Sequence, residues 1–259
     1  MRPLICTSAA LLLVLGSICA AQMQSGSLEV DGLSRHYEVF VPQTHKSVPL
    51  PVIIALHGRT ETGAGMAQRT GFNELAEREG VVVLYPDAAN GEWNYTAGIP
   101  GYPDAPDDVA FLDTLVQKLS GEVRIDPKRL YAAGFSNGGF MTERLACSAP
   151  GRYAAFASVA ATGFGGMAET CPGSSPLKFL FIHGTADTNV PWDGLTREVG
   201  GRRVPVLYSV PQTLEFWANY AGCSADLETT DLPSIYLEPK LSISQVYTRA
   251  WLQLHACLP

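Results

Sequence analysis

The stretch Arg129-Leu130-Tyr131-Ala132-Ala133-Gly134-Phe135-Ser136-Asn137-Gly138-Gly139, running on to Cys147, decides how this chain folds. Its first part, Arg129 to Gly134, is a short apolar and small-residue run, the pattern of a strand buried on both faces of a sheet. From Gly138 to Cys147 the pattern is that of a helix. Between them stands Gly-x-Ser-x-Gly, centred on Ser136. A strand that turns at once into a helix is so tight that the residues two before and two after the serine must lack bulk, hence glycine at both places. The turn lifts the Ser136 hydroxyl above the sheet edge and brings the N-terminus of the new helix beside it. Asn137 then presents a main-chain N–H able to stabilise an oxyanion.

Working outward, Pro51 to Leu56, Val81 to Tyr85, Tyr153 to Val159 and Leu177 to Ile182 read as further buried strands. Ser27 to Val30 and His36 to Val41, joined through Asp31-Gly32, read as a hairpin. Helices are expected over Gly71 to Glu79, from Asp107-Asp108 through Val109, Leu112, Leu115, Val116 and Leu119, and over Gln212 to Tyr220. The two acids belong to the favourable N-terminal end of their helix, which explains them more simply than paired catalysis does. Strands alternating with helices predict an α/β architecture: one domain over residues 22–259, with a mostly parallel central sheet and helices on both faces. After Cys223 the pattern is irregular, and Ser242 to Leu254 reads as one or two terminal strands.

The 259 residues, 46% hydrophobic and 17% charged, are globular in composition. A chain of this size can bury roughly three quarters of its unfolded surface. A net charge of -7 with no Lys/Arg-rich stretch argues against a nucleic-acid partner. Residues 1–21 read as a signal peptide: Arg2, an apolar run from Ala9 to Leu15, then small residues at Cys19-Ala20-Ala21. That run is too short to span a bilayer, so the expected destination is secreted or periplasmic. Lipid attachment through Cys19 is the weaker alternative, because Ile18 precedes it. Outside the leader, Cys147, Cys171, Cys223 and Cys257 have no zinc-site spacing and are read as disulfide cysteines, with three pairings open.

Two further segments carry chemistry. His57-Gly58-Arg59-Thr60 ends the first buried strand. In α/β-hydrolases this loop supplies a second oxyanion N–H, here from Arg59 or Thr60, while the His57 imidazole braces the loop. Phe179 to Asp187 is a strand, a glycine turn and a carboxylate. The fold's triad order is serine, acid, histidine, so Asp187 is the expected acid and His183, which precedes it, a structural residue. Trp93 and Trp192 are candidates to border the acyl pocket, against an equally good packing role. Asn94-Tyr95-Thr96 is a glycosylation sequon, meaningful only in a eukaryotic secretory pathway.

With these residues in place, the chain resembles the secreted poly(3-hydroxybutyrate) depolymerase and feruloyl esterase family. The carriers are Leu56-His57-Gly58, Asp107 to Phe111, Ile125 to Tyr131, Gly134 to Gly139, Leu145-Ala146-Cys147 and His183 to Asp187, in the family's order from about His36 to Cys223. The resemblance implies the α/β-hydrolase fold and no metal or organic cofactor. It implies cleavage of small-molecule or polymeric carboxylic esters, of plant-wall phenolic (feruloyl) or polyhydroxyalkanoate type. Ser136 is the implied nucleophile and Asp187 the implied acid. It also suggests Cys147 pairing with Cys171, and Cys223 with a later cysteine.

One family feature is missing, the Gly-x-Gly-His-x-Trp-Pro segment that carries the catalytic histidine. After Asp187 the chain has a single histidine, His255, in Leu254-His255-Ala256-Cys257. Two readings follow. In one, Trp251 to Leu254 is the last strand and His255 is the base. In the other, Cys257 is the partner of Cys223, the C-terminal part is shortened, and the chain is a catalytically impaired esterase homologue that serves at most as a binding or remnant domain. A serine without its base is a weak nucleophile.

Overall fold

A computed structural model describes residues 22–43, 47–171, 173–223 and 253–254. The leader, His45, His255 and Cys257 lie outside the described residues. Among the described residues eight strands form one sheet, in the order β1-β2-β4-β3-β5-β6-β7-β10. β1 (Gln22–Val30) and β2 (Leu33–Val41) make the expected hairpin, with Asp31 and Gly32 both at positive φ in the turn. β3 (Leu50–Leu56), β4 (Val82–Pro86), β5 (Ile125–Phe135), β6 (Ala155–Val159) and β7 (Phe179–Ile182) are mutually parallel. β10 (Gln253–Leu254) pairs antiparallel with β7, running from the level of Leu180 to that of Phe179. This arrangement is the α/β-hydrolase fold.

Alternation along the parallel strands divides the core. On one face Val52, Ile54, Leu56, Val82 and Leu84 pack with α3 (Asp108–Glu122), α4 (Asn137–Ser148) and α6 (Val210–Ala221). On the other, Ala55, Val83 and Tyr85 meet Met66 and Ala67 of α1 (Gly63–Thr70) and Ala76 of α2 (Phe72–Glu79). The helix expected over 71–79 is α2; α1, just before it, is absent from the sequence reading, and Gly71 in a left-handed conformation (φ 63) ends α1 and starts α2. β7 buries Phe179 and Phe181 toward Trp217 of α6 and exposes Leu180 and Ile182 on its other side. A short helix, α5 (Met167–Thr170), and an exposed hairpin, β8 (Leu195–Val199) and β9 (Arg202–Leu207), are absent from the sequence reading. The hairpin turns at Gly200-Gly201 with both φ positive.

Two buried tethers hold the loops at the C-terminal sheet edge. Asp107 caps α3 by accepting the Ala110 N–H at 3.0 Å. Asp108 is instead buried in an ion pair with Arg35 of β2 at 2.6 Å. Its second oxygen takes the Asn94 N–H at 2.6 Å, and the Arg35 guanidinium lies over the Phe111 ring. So one of the two acids is a cap, as expected, and the other anchors the loop that begins at Trp93. The second tether is a disulfide between Cys147, at the end of α4, and Cys171.

Candidate active site

β5 ends at Phe135 and α4 begins at Asn137, leaving Ser136 alone in the turn at φ 52, ψ −115. A non-glycine residue held there stores about 1–3 kcal/mol of backbone strain, which persists only where the surroundings dictate it. They do so here. Ser136 N–H donates to Val159 O of β6 at 2.8 Å, and Ser136 O accepts from Phe140 N–H at 3.1 Å, the first bond of α4. A Cβ on Gly134 would overlap the Gly138 carbonyl. One on Gly138 would overlap the Leu56 carbonyl and come within 2.6 Å of His57 O. The glycines of the motif are thus a packing requirement: elbow, helix and β3 loop touch backbone to backbone. Gly139 is equally constrained, 2.7 Å from Ala161 Cβ were it to carry a side chain.

Asn137, first in α4, has an N–H that precedes the first intrahelical bond, at the positive end of the helix dipole. Its side chain is spoken for. Oδ1 accepts the Trp93 N–H at 2.6 Å, and Nδ2 reaches back to Trp93 O at 3.5 Å.

The 57–60 loop lies against the same elbow. His57 is fully buried. Its Nε2 accepts the Ala88 N–H at 2.9 Å, which assigns the proton to Nδ1, donating to Gly58 O at 2.7 Å. Burial holds its pKa below the ordinary histidine value, so the ring is neutral at physiological pH. His57 therefore braces the loop and is not placed to act as a base. Thr60, at φ 61, spends its N–H on Gly91 O at 2.8 Å. Of the two residues considered for the second oxyanion donor, Arg59 is the one whose main-chain N–H is not so committed. Its side chain points into an exposed pair with Glu92.

Trp93 is buried, its Nε1–H bonded to His57 O at 3.0 Å and its ring 5.2 Å from the imidazole. It packs within the scaffold. Two residues on from it, Tyr95 joins an aromatic group whose other members, Phe140 and Phe164, the sequence reading did not single out. Tyr95 stacks on Phe140 at 4.9 Å and meets Phe164 edge-on at 5.0 Å. Phe140 follows Ser136 by one helical turn, and this spacing was the available signal. The Asn94 amide of the sequon donates to Pro103 O and Pro106 O at 3.0 and 3.1 Å, so it serves as a loop tie.

Beyond β7, Asp187 folds its loop around itself. Oδ1 accepts the N–H groups of Asn189 (2.8 Å) and Val190 (3.0 Å). That holds the carboxylate in one orientation at the C-terminal end of β7, two strands from the elbow in the sheet order, with Oδ2 as its other face. His183 gives Nε2–H to Val190 O at 2.8 Å and closes the loop from the other side. Trp192 is half-buried with its ring 6.1 Å from His183. Both nitrogens of His57 are thus engaged, whereas of His183 only Nε2 is, its Nδ1 being buried without a hydrogen-bond partner. Cys223, half-buried, donates its N–H to Ala218 O at 2.9 Å; its expected partner Cys257 is outside the described residues.

Glu143, two turns into α4, is an acid whose ionisation is strongly displaced. It is fully buried, takes the Trp217 Nε1–H at 3.2 Å and shares a 3.2 Å hydrogen bond with Ser158 Oγ. Desolvation pushes its pKa up to about 8. No sequence signal marks it, because a glutamate in a helix is ordinarily a surface residue.

A family profile described as esterase PHB depolymerase matches residues 35–174, more than half of the chain. NocK of Nocardia uniformis subsp. tsuyamanensis, which is named as an esterase, is 32% identical over 202 residues, covering 74% of this chain and 58% of its own length. Feruloyl esterase C of Emericella nidulans is 29% identical over 180 residues, 66% of this chain and 61% of that one. The chain thus spans about three fifths of the curated relatives it matches. Among solved structures, an acetyl xylan esterase from Aspergillus awamori superposes with a TM-score of 0.59 at 18% identity, over 77% of this chain and 80% of that one. That likeness speaks for the fold.

Proposed function

The chain belongs to the esterase PHB depolymerase family, and from that premise we propose that it is a serine hydrolase that cleaves carboxylic esters through an acyl-enzyme on Ser136. The observation that carries the reading is the conformation of Ser136, which is strained, glycine-flanked and seated at the N-terminus of α4. Ser136 Oγ attacks the ester carbonyl. The oxyanion is received by the N–H groups of Asn137 and Arg59, the second chosen because Thr60 N–H is held by Gly91 O. An imidazole oriented by Asp187 takes the serine proton and delivers it to the leaving alcohol; water then attacks the acyl-enzyme by the reverse route. His57 has both nitrogens engaged in bracing, His183 precedes the acid and so falls outside the fold's serine–acid–histidine order, and His36 is exposed on β2 among the strands added at the far side of β4. The base is therefore assigned to His255.

The substrates we assign are feruloyl-type phenolic esters or polyhydroxyalkanoate-type esters, encountered outside the cytoplasm after removal of residues 1–21. The likeness to feruloyl esterase C and the aromatic group around Tyr95 support the phenolic member of that pair. Among the described residues no helix is long and apolar enough to cross a membrane.

The test is labelling of folded protein with a fluorophosphonate probe, together with turnover of a short p-nitrophenyl ester. Ser136→Ala should abolish both. Absence of label on wild-type Ser136 would refute the reading. A second reading, a silent homologue, is favoured by the engaged state of His57 and His183. It forecasts His255→Ala indistinguishable from wild type in both assays.

A further inference from the structure

Both donors assigned to the oxyanion are main-chain N–H groups on different elements, Asn137 on α4 and Arg59 on the loop after β3. Their spacing is fixed by whatever joins those elements. Loop 88–93 does so. It meets the 57–60 loop through three bonds: Ala88 N–H to His57 Nε2 (2.9 Å), Thr60 N–H to Gly91 O (2.8 Å) and Trp93 Nε1–H to His57 O (3.0 Å). Its end is held to the nucleophile helix by the Asn137 carboxamide, which takes Trp93 N–H at 2.6 Å. The next N–H along, Asn94, is clamped by buried Asp108 at 2.6 Å, so the segment cannot slide to compensate. Every member of the Asn137–Trp93–His57 chain is buried, where hydrogen bonds are strong and an unpaired partner is costly.

We propose that the Asn137 side chain is a positioning residue: it sets the distance between the two oxyanion donors through Trp93 and His57, without touching the substrate. This rests on the acyl-enzyme reading for its catalytic consequence, but not for its geometry. An amide at this position supplies an acceptor for Trp93 N–H and a donor for Trp93 O together, which neither alanine nor an aliphatic residue can do. Displacing a reacting group by about 1 Å is enough to lower a rate on the order of 100-fold.

Two readouts test it on the whole chain. In Asn137→Ala, backbone hydrogen exchange of residues 58–60 should accelerate, although the removed atoms touch none of them, and kcat on a p-nitrophenyl ester should fall roughly 10- to 100-fold with KM changed less than about twofold. Asn137→Asp keeps the Trp93 N–H acceptor and places its charge at a helix N-terminus, so it should restore exchange protection. Trp93→Phe cuts the chain one link further on with little loss of volume. Its effect on kcat should overlap that of Asn137→Ala, the double variant being no more than about twofold worse than either single one. Unchanged exchange at 58–60 in both single variants, or fully multiplicative effects in the double, would overturn the clamp. Wild-type protein that takes no fluorophosphonate label would sink the esterase reading, while the exchange data would still decide the clamp.

Discussion

Replacing Glu143 by glutamine should make the protein more stable, by an amount that grows with pH. The carboxyl is fully buried, and the groups that meet it, the Trp217 indole and the Ser158 hydroxyl, are neutral. Its pKa is raised from 4.5 to about 8. As pH rises past 4.5 the unfolded chain releases this proton while the folded chain keeps it. The folded state therefore binds the extra proton, and stability falls with pH from about 4.5 until the folded group also ionises near 8. At 1.36 kcal/mol per pKa unit, the loss relative to acid is about 3 kcal/mol at pH 7 and approaches about 5 kcal/mol above pH 8. Glutamine has the shape and hydrogen-bonding pattern of the protonated acid. Its oxygen accepts from Trp217 and its NH2 donates to Ser158, and it cannot titrate. The assay is thermal or urea unfolding of both proteins from pH 5 to pH 9. The two midpoints should nearly coincide at pH 5 and separate by roughly 6–12 °C at pH 7. Buried His57, whose pKa is lowered, adds an opposite slope below about pH 6.5, but it does so in both proteins and cancels in the difference. Parallel pH curves for the two proteins, or a variant that is the less stable one at pH 8, would refute the protonated, neutral-partnered carboxyl.

Three other outcomes are expected. Arg35→Met leaves the buried Asp108 carboxylate without its cation and should destabilise by about 3–5 kcal/mol in urea unfolding, with Arg35→Met/Asp108→Leu recovering part of the loss; equal losses would argue against the pair. Opening the Cys147–Cys171 bridge, whose cysteines are separated by 24 residues, should lower stability by about 3.5 kcal/mol on the chain-entropy account, seen as a lower unfolding midpoint in reductant. Gly138→Ala forces a methyl into the Leu56 and His57 carbonyls and should cost about 1–3 kcal/mol along with most fluorophosphonate labelling. A variant with wild-type midpoint and labelling would contradict the backbone contact.

The elbow was readable from the chain alone because its constraints are local. Gly134, Ser136 and Gly138 lie within five residues, and a strand passing into a helix admits few other solutions. The strand–helix alternation, the bracing role of His57 and the loop leading to Asp187 were legible for the same reason, each being carried by a short run with its own periodicity. The hairpin over 195–207 was not, because Arg197, Glu198, Arg202 and Arg203 leave it only a short apolar signal at Val204 and Val206; β8 is exposed throughout and β9 is half-buried only at Val204, Val206 and Leu207.

What the linear order could not decide is every relation between distant segments whose residues look ordinary in isolation. Thr60 and Arg59 are equivalent candidates until the Gly91 carbonyl is placed against one of them. Asn137 contributes a main-chain donor on sequence grounds, but its side chain acquires a task only when Trp93, far back in the chain, is folded onto α4. Asp107 and Asp108 are a repeated residue in sequence and two different devices in space, one a solvent-facing cap and one a buried anchor. Glu143 reads as a surface helix position and is buried by β6 and α6. The physical reason is common to all four. Backbone geometry and hydrophobic period act over a few residues and are written locally, whereas hydrogen-bond partnership and desolvation depend on which long-range neighbours arrive.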